Sequence, residues 1–105
     1  MIDDTLPPDE CTTMGEVRAG VDAVDRELLA LLERRFGYMR AAARIKMDRG
    51  AVRDEARKQA VIAAATADAR ARGLPDDAIA ALWEELVDAS IAYEFKEWDR
   101  LRGPG

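Results

Sequence analysis

The chain has 105 residues, of which 49% are apolar and 35% charged, so one folded domain is expected rather than a disordered chain. Its formal net charge of −5 disfavours general binding to nucleic acids. Histidine is absent, which removes the commonest general base and metal ligand, and the single Cys11 excludes an internal disulfide. The acidic start resembles no signal peptide, and no stretch suits a membrane span, so we expect a cytoplasmic protein.

The first part of the chain predicts one long helix. Residues 1–12 contain turn formers and are expected to be an irregular lead-in. Thr12 or Thr13 is a suitable N-cap, and Glu16 is spaced for a capping box with Thr13. The helix is expected to run to about Arg49, because its apolar residues recur at alternating steps of three and four. These residues are Met14, Val17, Val21, Val24, Leu28, Leu31, Tyr38, Ala42 and Ile45.

The remainder predicts two shorter helices. Asp54 can cap a second helix that runs to about Arg72. The segment Gly73-Leu74-Pro75 then breaks the chain before a third helix that ends near Leu101. The tail, residues 102–105, is expected to fray. The predicted buried faces are Ala60, Val61, Ala64 and Ala67 in the second helix, and Ile79, Leu82, Trp83, Leu86, Val87, Ile91, Phe95 and Trp98 in the third.

The great length of the first helix bears on oligomeric state. Its predicted residues would extend roughly 54 Å. Part of its apolar stripe would stay uncovered within one chain, whereas a second copy would bury it. The pattern therefore predicts an all-α fold, in which a three-helix protomer with a long first helix forms an intertwined helical homodimer. Residues 13–102 are expected to form this helical domain.

Several polar residues interrupt or flank the apolar stripes. Arg35 occupies a heptad core position, where an unpaired guanidinium is costly, and Lys46 lies roughly 16 Å away on the same face. Both could reach solvent, or they could together bind one small anion. Arg18 lies roughly 25 Å from Arg35, so it could join such a site only from the partner in an antiparallel dimer. Ser90 and Glu94 share a face of the third helix, where the carboxylate is paired with a cation, held protonated by burial, or part of a surface contact.

Four segments carry a family resemblance, and they occur in the order Val17-Arg18-x-x-Val21-Asp22-x-x-Asp25-x-x-Leu28-Leu29-x-Leu31-Leu32-x-x-Arg35, Lys46, Val52-Arg53-Asp54-x-x-Arg57 and Ser90-x-x-x-Glu94. Together they resemble the all-α chorismate mutase family over most of the chain. Its two ends are similar to the isochorismate-pyruvate lyase branch of the same fold, which makes salicylate. The segments concerned are Pro8-Asp9-Glu10-Cys11-x-x-Met14 and Phe95-Lys96-Glu97-Trp98.

The resemblance implies a homodimer with two equivalent sites for a dicarboxylate substrate, and it implies neither a metal nor a cofactor. Arg18 would come from the partner chain and, together with Arg35 and Arg57, would bind the two carboxylates. Lys46 would contact a carboxylate and the ether oxygen of the substrate. Glu94 matches a position that holds glutamine or glutamate and hydrogen-bonds the same ether oxygen.

The remaining matched positions concern the rest of the substrate. The resemblance places Asp54 near the substrate hydroxyl and gives Ser90 a weaker carboxylate contact. Lys58 departs from the family pattern, because many mutases have a glutamate there that contacts the hydroxyl. Recognition of that hydroxyl is therefore the feature in which this chain is expected to differ.

Three functions remain open at this point. A chorismate mutase would convert chorismate to prephenate for aromatic amino acid biosynthesis, by holding the reactive conformer and stabilising charge on the breaking ether oxygen. An isochorismate-pyruvate lyase would give salicylate and pyruvate. A catalytically inactive helical dimer would serve as an interaction module, although the retention of Arg18, Arg35, Lys46 and Arg57 together argues against it.

Overall fold

The computed structural model describes residues 5–103, and within this range all regular secondary structure is helical, without a β-strand. Residues 1–4 of the predicted lead-in lie outside the described range. The three main helices are α1, Met14–Ile45, α2, Glu55–Ala71, and α3, Asp76–Leu101. The predicted all-α class with a long first helix is confirmed for this part of the chain. No helix in it is both long and apolar enough to cross a membrane.

The chain forms two compact units, Met1–Gly37 and Tyr38–Gly105, and α1 contributes to both. In the first unit the lead-in is not wholly irregular, because Pro8–Glu10 form a 3₁₀ turn. The predicted capping box is confirmed. The Thr13 amide donates to Glu16 Oε1 at 3.0 Å, and the Glu16 amide donates to Thr13 Oγ1 at 3.2 Å. The Thr12 amide donates to the same Glu16 oxygen at 2.9 Å, and this bond, followed by the bond from the Thr13 amide, lowers the pKa of the Glu16 carboxyl.

The apolar stripe of α1 is largely uncovered in the first unit. Ala23 is buried, but Val21, Leu28 and Leu31 are 53%, 51% and 59% exposed. An apolar helix face of this length is unfavourable in water unless another surface covers it. The single chain therefore leaves the predicted dimerisation surface open.

The second unit contains a small core between α2 and α3. Val52, Val87 and Ile91 are buried at its centre. Half-buried side chains pack around them, namely Val61, Ile62, Trp83, Phe95 and Trp98. The predicted stripe of α3 therefore holds over most of its length, although Leu82 is 60% exposed and does not join the core.

The predicted buried face of α2 is confirmed at Val61, which packs against the core, and is wrong at the three alanines. Ala60, Ala64 and Ala67 are exposed, whereas Lys58 and Ala69 are buried. The helix is rich in alanine, so small apolar side chains occur on all its faces and periodicity alone selects no single one. The observed orientation places Lys58 against α3, where its side chain meets two carboxylates.

The helix ends follow local capping rules. Asp54 caps α2, its Oδ1 accepting from the Arg57 amide at 3.0 Å, as predicted. At the other end Gly73 has φ +72°, and the Leu74 amide donates to the Ala69 carbonyl at 2.8 Å. A second bond from the Gly73 amide to the Arg70 carbonyl completes a Schellman motif.

Two predicted boundaries need correction. The first helix ends at Ile45 rather than near Arg49, and Arg49–Ala51 form a separate 3₁₀ turn. The Asp48 carboxylate favours this turn by accepting from the Gly50 amide at 3.1 Å. The expected fraying of the tail is wrong for Arg102, whose guanidinium binds carbonyl groups at the end of α1. Residues 104–105 lie outside the described range.

Candidate active site

Lys46 and Glu94 form the ion pair at the centre of the candidate site. Lys46 follows the last residue of α1, and Glu94 lies on the inner face of α3. The Lys46 ammonium donates to Glu94 Oε2 at 2.8 Å. Glu94 is only 4% exposed, whereas 31% of the Lys46 side chain is accessible. Of the possibilities left open for Glu94, the structure shows a buried carboxylate paired with a cation.

Ser90 lies one helical turn before Glu94 and is also buried. Its hydroxyl donates to the Leu86 carbonyl of the preceding turn at 2.6 Å. A serine hydroxyl has one hydrogen and two acceptor lone pairs, so this bond uses its hydrogen within the helix. In this rotamer Ser90 is oriented by its own helix.

Asp54 and Arg57 lie together at the start of α2. Besides capping the helix through its side chain, Asp54 accepts from the Lys58 amide through its carbonyl at 2.9 Å. Arg57 is exposed in the first turn. Among residues 5–103, no hydrogen bond or ion pair joins either residue to Lys46 or Glu94.

Lys58 stands beside this segment as a buried cation. It is 8% exposed, and its ammonium lies 2.9 Å from Asp88 Oδ1 and 3.0 Å from Glu84 Oε1, both on α3. The hydrogen bonds that the Lys58 ammonium donates to Asp88 and Glu84 raise the pKa of Lys58, and the bond to Asp88 lowers the pKa of the Asp88 carboxyl. Arg53 approaches the same Asp88 carboxylate at 3.8 Å.

Sequence reasoning missed the role of Lys58. A charge-dense segment after a loop is most simply interpreted as a solvated helix start, and for Lys58 that interpretation is wrong. The spacing of Glu84 and Asp88, which are four apart on one face of α3, could have indicated a cation opposite them. Only the packing of α2 against α3 identifies that cation.

Arg18 and Arg35 belong to the first unit, where both lie on α1. Arg18 is exposed, and Arg35 is half-buried. The first unit also contains an apolar cleft of about 520 Å³ between the lead-in and the first turns of α1. Its lining includes Leu6, Val17 and Val21 but none of the residues predicted to bind substrate. A shared site for both arginines and Lys46 stays a prediction.

The described residues contain no group of three or more Asp, Glu or Cys that could hold a metal ion. They do contain exposed arginines and an accessible lysine ammonium whose position is fixed by a buried carboxylate. Such groups suit an anionic ligand and can stabilise negative charge that develops on it. The described part of the chain is thus a small all-helical protein with a candidate site for an anion at Lys46.

Comparison with known proteins identifies the family. Residues 17–95 match the model of the family described as chorismate mutase type II, and the chain belongs to that family. It is also similar to the isochorismate pyruvate lyase of Pseudomonas aeruginosa, with 28% identity over 96 residues. The aligned part covers 91% of this chain and 95% of that protein. The family resemblance predicted from the motifs is therefore confirmed.

Proposed function

We propose that this protein is a chorismate mutase, which rearranges chorismate to prephenate. The observation that carries the proposal is the pair of Lys46 and Glu94, in which a buried carboxylate holds a partly accessible ammonium at 2.8 Å. In this reaction an ether C–O bond breaks while a C–C bond forms within the same molecule. The reaction needs no nucleophile or proton relay, so the protein's task is to position the substrate and stabilise charge on the ether oxygen.

Lys46 is the residue that we assign to the ether oxygen. An ammonium group has three donors, of which Glu94 takes one, so Lys46 can donate to the substrate without leaving its partner. As the C–O bond lengthens, negative charge grows on oxygen and its attraction to the ammonium increases. An interaction that is stronger in the transition state than in the ground state raises kcat.

The arginines are assigned to the two carboxylates of the substrate. Arg35 and Arg57 present planar guanidinium groups, which match a carboxylate through paired hydrogen bonds. Arg18 is assigned to the same site but from the partner chain of a homodimer. Asp54 is assigned to the substrate hydroxyl, and Ser90 to a weaker carboxylate contact. Within one functional domain, residues 13–102, these groups would line each of two equivalent sites.

The exposed stripe of α1 supports the homodimer. Val21, Leu28 and Leu31 are each more than half exposed, and they lie on the helix that carries Arg18 and Arg35. A partner helix packed along this stripe would remove their apolar surface from water, at about 25 cal/mol per Å². The same contact would bring the partner's α1 alongside, which the assignment of Arg18 requires.

A second candidate function is that of an isochorismate-pyruvate lyase. It is favoured by the similarity to the Pseudomonas aeruginosa enzyme of that name, which extends over 91% of this chain. Release of pyruvate also requires cleavage of an ether C–O bond, so the same roles for Lys46 and Glu94 would apply. The two functions differ in the substrate, not in the charge that the site must stabilise.

Incubation of the protein with chorismate and with isochorismate separately tests both functions. We expect chorismate to be converted to prephenate. The loss of the ultraviolet absorbance of chorismate measures its consumption, and chromatography identifies the product. Salicylate and pyruvate from isochorismate, without prephenate, would replace the first proposal by the second. If the folded protein forms neither prephenate nor salicylate, both proposed functions are wrong and an inactive interaction module is favoured.

Substitution of Lys46 separates catalysis at the proposed site from background. Lys46→Met keeps the aliphatic length but removes the charge, so we expect kcat to fall by about 100-fold or more. Lys96→Met is the matched control, because Lys96 is exposed on α3. Equal activity of the two variants would contradict the role of Lys46.

A further inference from the structure

The backbone of Lys46 is held by two donors from the end of α3. Trp98 Nε1 donates to the Lys46 carbonyl at 3.0 Å, and Arg102 Nη2 donates to the same oxygen at 2.8 Å. Glu94, which binds the Lys46 side chain, lies on the same helix one turn before Trp98. One helix therefore holds this lysine at both its main chain and its side chain.

Arg102 also binds the last turn of α1. Its Nη1 donates to the Ala43 carbonyl at 2.8 Å, and its Nη2 donates to the Arg44 carbonyl at 3.1 Å. The final carbonyl groups of a helix have no partner within it, and a cation there also interacts favourably with the helix dipole. Arg102 thus supplies the cap that α1 lacks from its own sequence.

Trp98 keeps the Arg102 guanidinium in place. The guanidinium carbon lies 4.6 Å from the centre of the Trp98 ring, which is the geometry of a cation–π contact. The planar group is thereby held with its donors directed at the carbonyls. Because the indole N–H serves the same oxygen, the two side chains act together on Lys46.

We propose that Trp98 and Arg102 form a clamp that positions Lys46 for catalysis. Neither is assigned a contact with substrate, so both are positioning residues, and the proposal rests on the proposed function of Lys46. Lys46 lies just beyond the last residue of α1, where the helix constrains the backbone torsions least. Without the clamp its backbone could shift, and a displacement of about 1 Å at a reacting group can reduce the rate by about 100-fold.

Kinetics of three variants test the clamp. We expect Arg102→Met to lower kcat by about 10- to 100-fold with little change in KM. Trp98→Phe, which keeps the ring but loses the N–H donor, should lower kcat by about two- to tenfold. Arg102→Lys should recover part of the activity, because an ammonium can donate to carbonyls but lacks the planar fork. If Arg102→Met fails to fold, the other two variants decide the outcome.

Arg100→Met provides the matched control. Arg100 lies in the same last turn of α3, but its guanidinium pairs with Glu97 at the surface. The control should retain the kcat of the unmodified protein. If Arg102→Met and Trp98→Phe also retain it, or if they change only KM, the positioning role is wrong.

Nuclear magnetic resonance tests the clamp without any substrate. The sequence contains a single Lys-Met step, Lys46-Met47, so ¹³C-carbonyl lysine with ¹⁵N-methionine labels one peptide bond. Loss of a donor should move this carbonyl signal upfield in Arg102→Met and Trp98→Phe but not in Arg100→Met. A second label, ¹³C at the lysine Cε, reports on the Lys46–Glu94 ion pair. If Arg102→Met loosens this pair, the Cε signal of Lys46 should move towards the position that it has in Glu94→Gln.

These signals separate the two possible failures. If the protein turns over neither chorismate nor isochorismate, the proposed function is wrong, while the signals still report whether Trp98 and Arg102 hold Lys46. If both signals of Lys46 stay unchanged in Arg102→Met, the clamp itself is wrong, whatever the activity.

Discussion

The Glu94 carboxylate accepts a hydrogen bond from the Lys46 ammonium at 2.8 Å while only 4% of Glu94 is exposed. This contact gives Lys46 a defined position, but it also places an acceptor where a donor would be useful. An ionised carboxylate can only accept hydrogen bonds and would repel charge growing on an ether oxygen nearby. A neutral amide at this position would keep an acceptor for Lys46 and add a donor towards that oxygen. Substitution of Glu94 therefore tests whether its charge or its hydrogen bonds matter for the reaction.

The first prediction concerns Glu94→Gln. The amide oxygen can still accept from the Lys46 ammonium, and the amide N–H group can donate to the ether oxygen of the substrate. We therefore expect Glu94→Gln to keep or raise kcat at neutral pH. Glu94→Ala removes the partner of the Lys46 ammonium and should lower kcat by about tenfold or more. Steady-state rates of the two variants measure the difference, and an equal loss in both would contradict a hydrogen-bonding role for this position.

The second prediction concerns sharing of the site between chains. Arg18→Ala and Arg35→Ala should each be inactive alone, since each removes a carboxylate-binding group from both sites. After exchange of subunits in an equal mixture, about a quarter of all sites should contain neither substitution if Arg18 comes from the partner. Activity should recover to about that fraction. Mass spectrometry of differently labelled chains verifies the exchange, and no recovery after it would exclude the shared site.

Local signals made several helix ends predictable from the sequence. The Thr13–Glu16 capping box, the Asp54 cap and the break after Arg72 each depend on residues within one turn of each other. At Gly73 a positive φ is needed, and glycine adopts it without the steric cost of a Cβ atom. Rules that link neighbouring residues could therefore locate these ends.

Contacts between distant residues were only partly predictable. Lys46 and Glu94 were both selected, but their direct pairing joins positions 48 apart and depends on how the helices pack. Arg102 was assigned to a fraying tail because nothing in its neighbours shows that α1 needs a cap from another helix. Lys58 lies in a charge-dense segment that local sequence alone would place in solvent, and its burial depends on partners on α3. Tertiary packing decided each of these positions.

The third prediction separates the two roles of Asp54. Its carboxylate caps α2 in the structure, and we propose that it also meets the substrate hydroxyl. Asp54→Asn keeps an oxygen that can cap the helix, so its stability should be close to that of the unmodified protein. Asp54→Ala should lose about 1 kcal/mol in the free energy of unfolding. Urea unfolding measures this difference.

Activity of the same two variants tests the second role. Both should lose roughly tenfold or more in kcat/KM, because a hydrogen bond to a charged group contributes about 1.5–3 kcal/mol. A loss of activity confined to Asp54→Ala, the less stable variant, would instead assign Asp54 to the fold alone.

The last prediction concerns the stability of the Lys58–Asp88 pair at low and high pH. The bond between them lowers the pKa of Asp88, so its contribution is present above the ordinary aspartate pKa and is lost as pH falls through the lowered one. The pKa of Lys58 is raised, so its contribution is present below the ordinary lysine pKa and is lost as pH rises through the raised one.

Asp88→Asn should therefore lower Tm at neutral pH, and the difference should shrink below about pH 4. Asp68→Asn, which breaks the exposed contact with Arg72, is the control and should change Tm little at any pH, since exposed pairs contribute little. A Tm difference for Asp88→Asn that stays constant between neutral and acidic pH would show that the charge of Asp88 does not stabilise the fold.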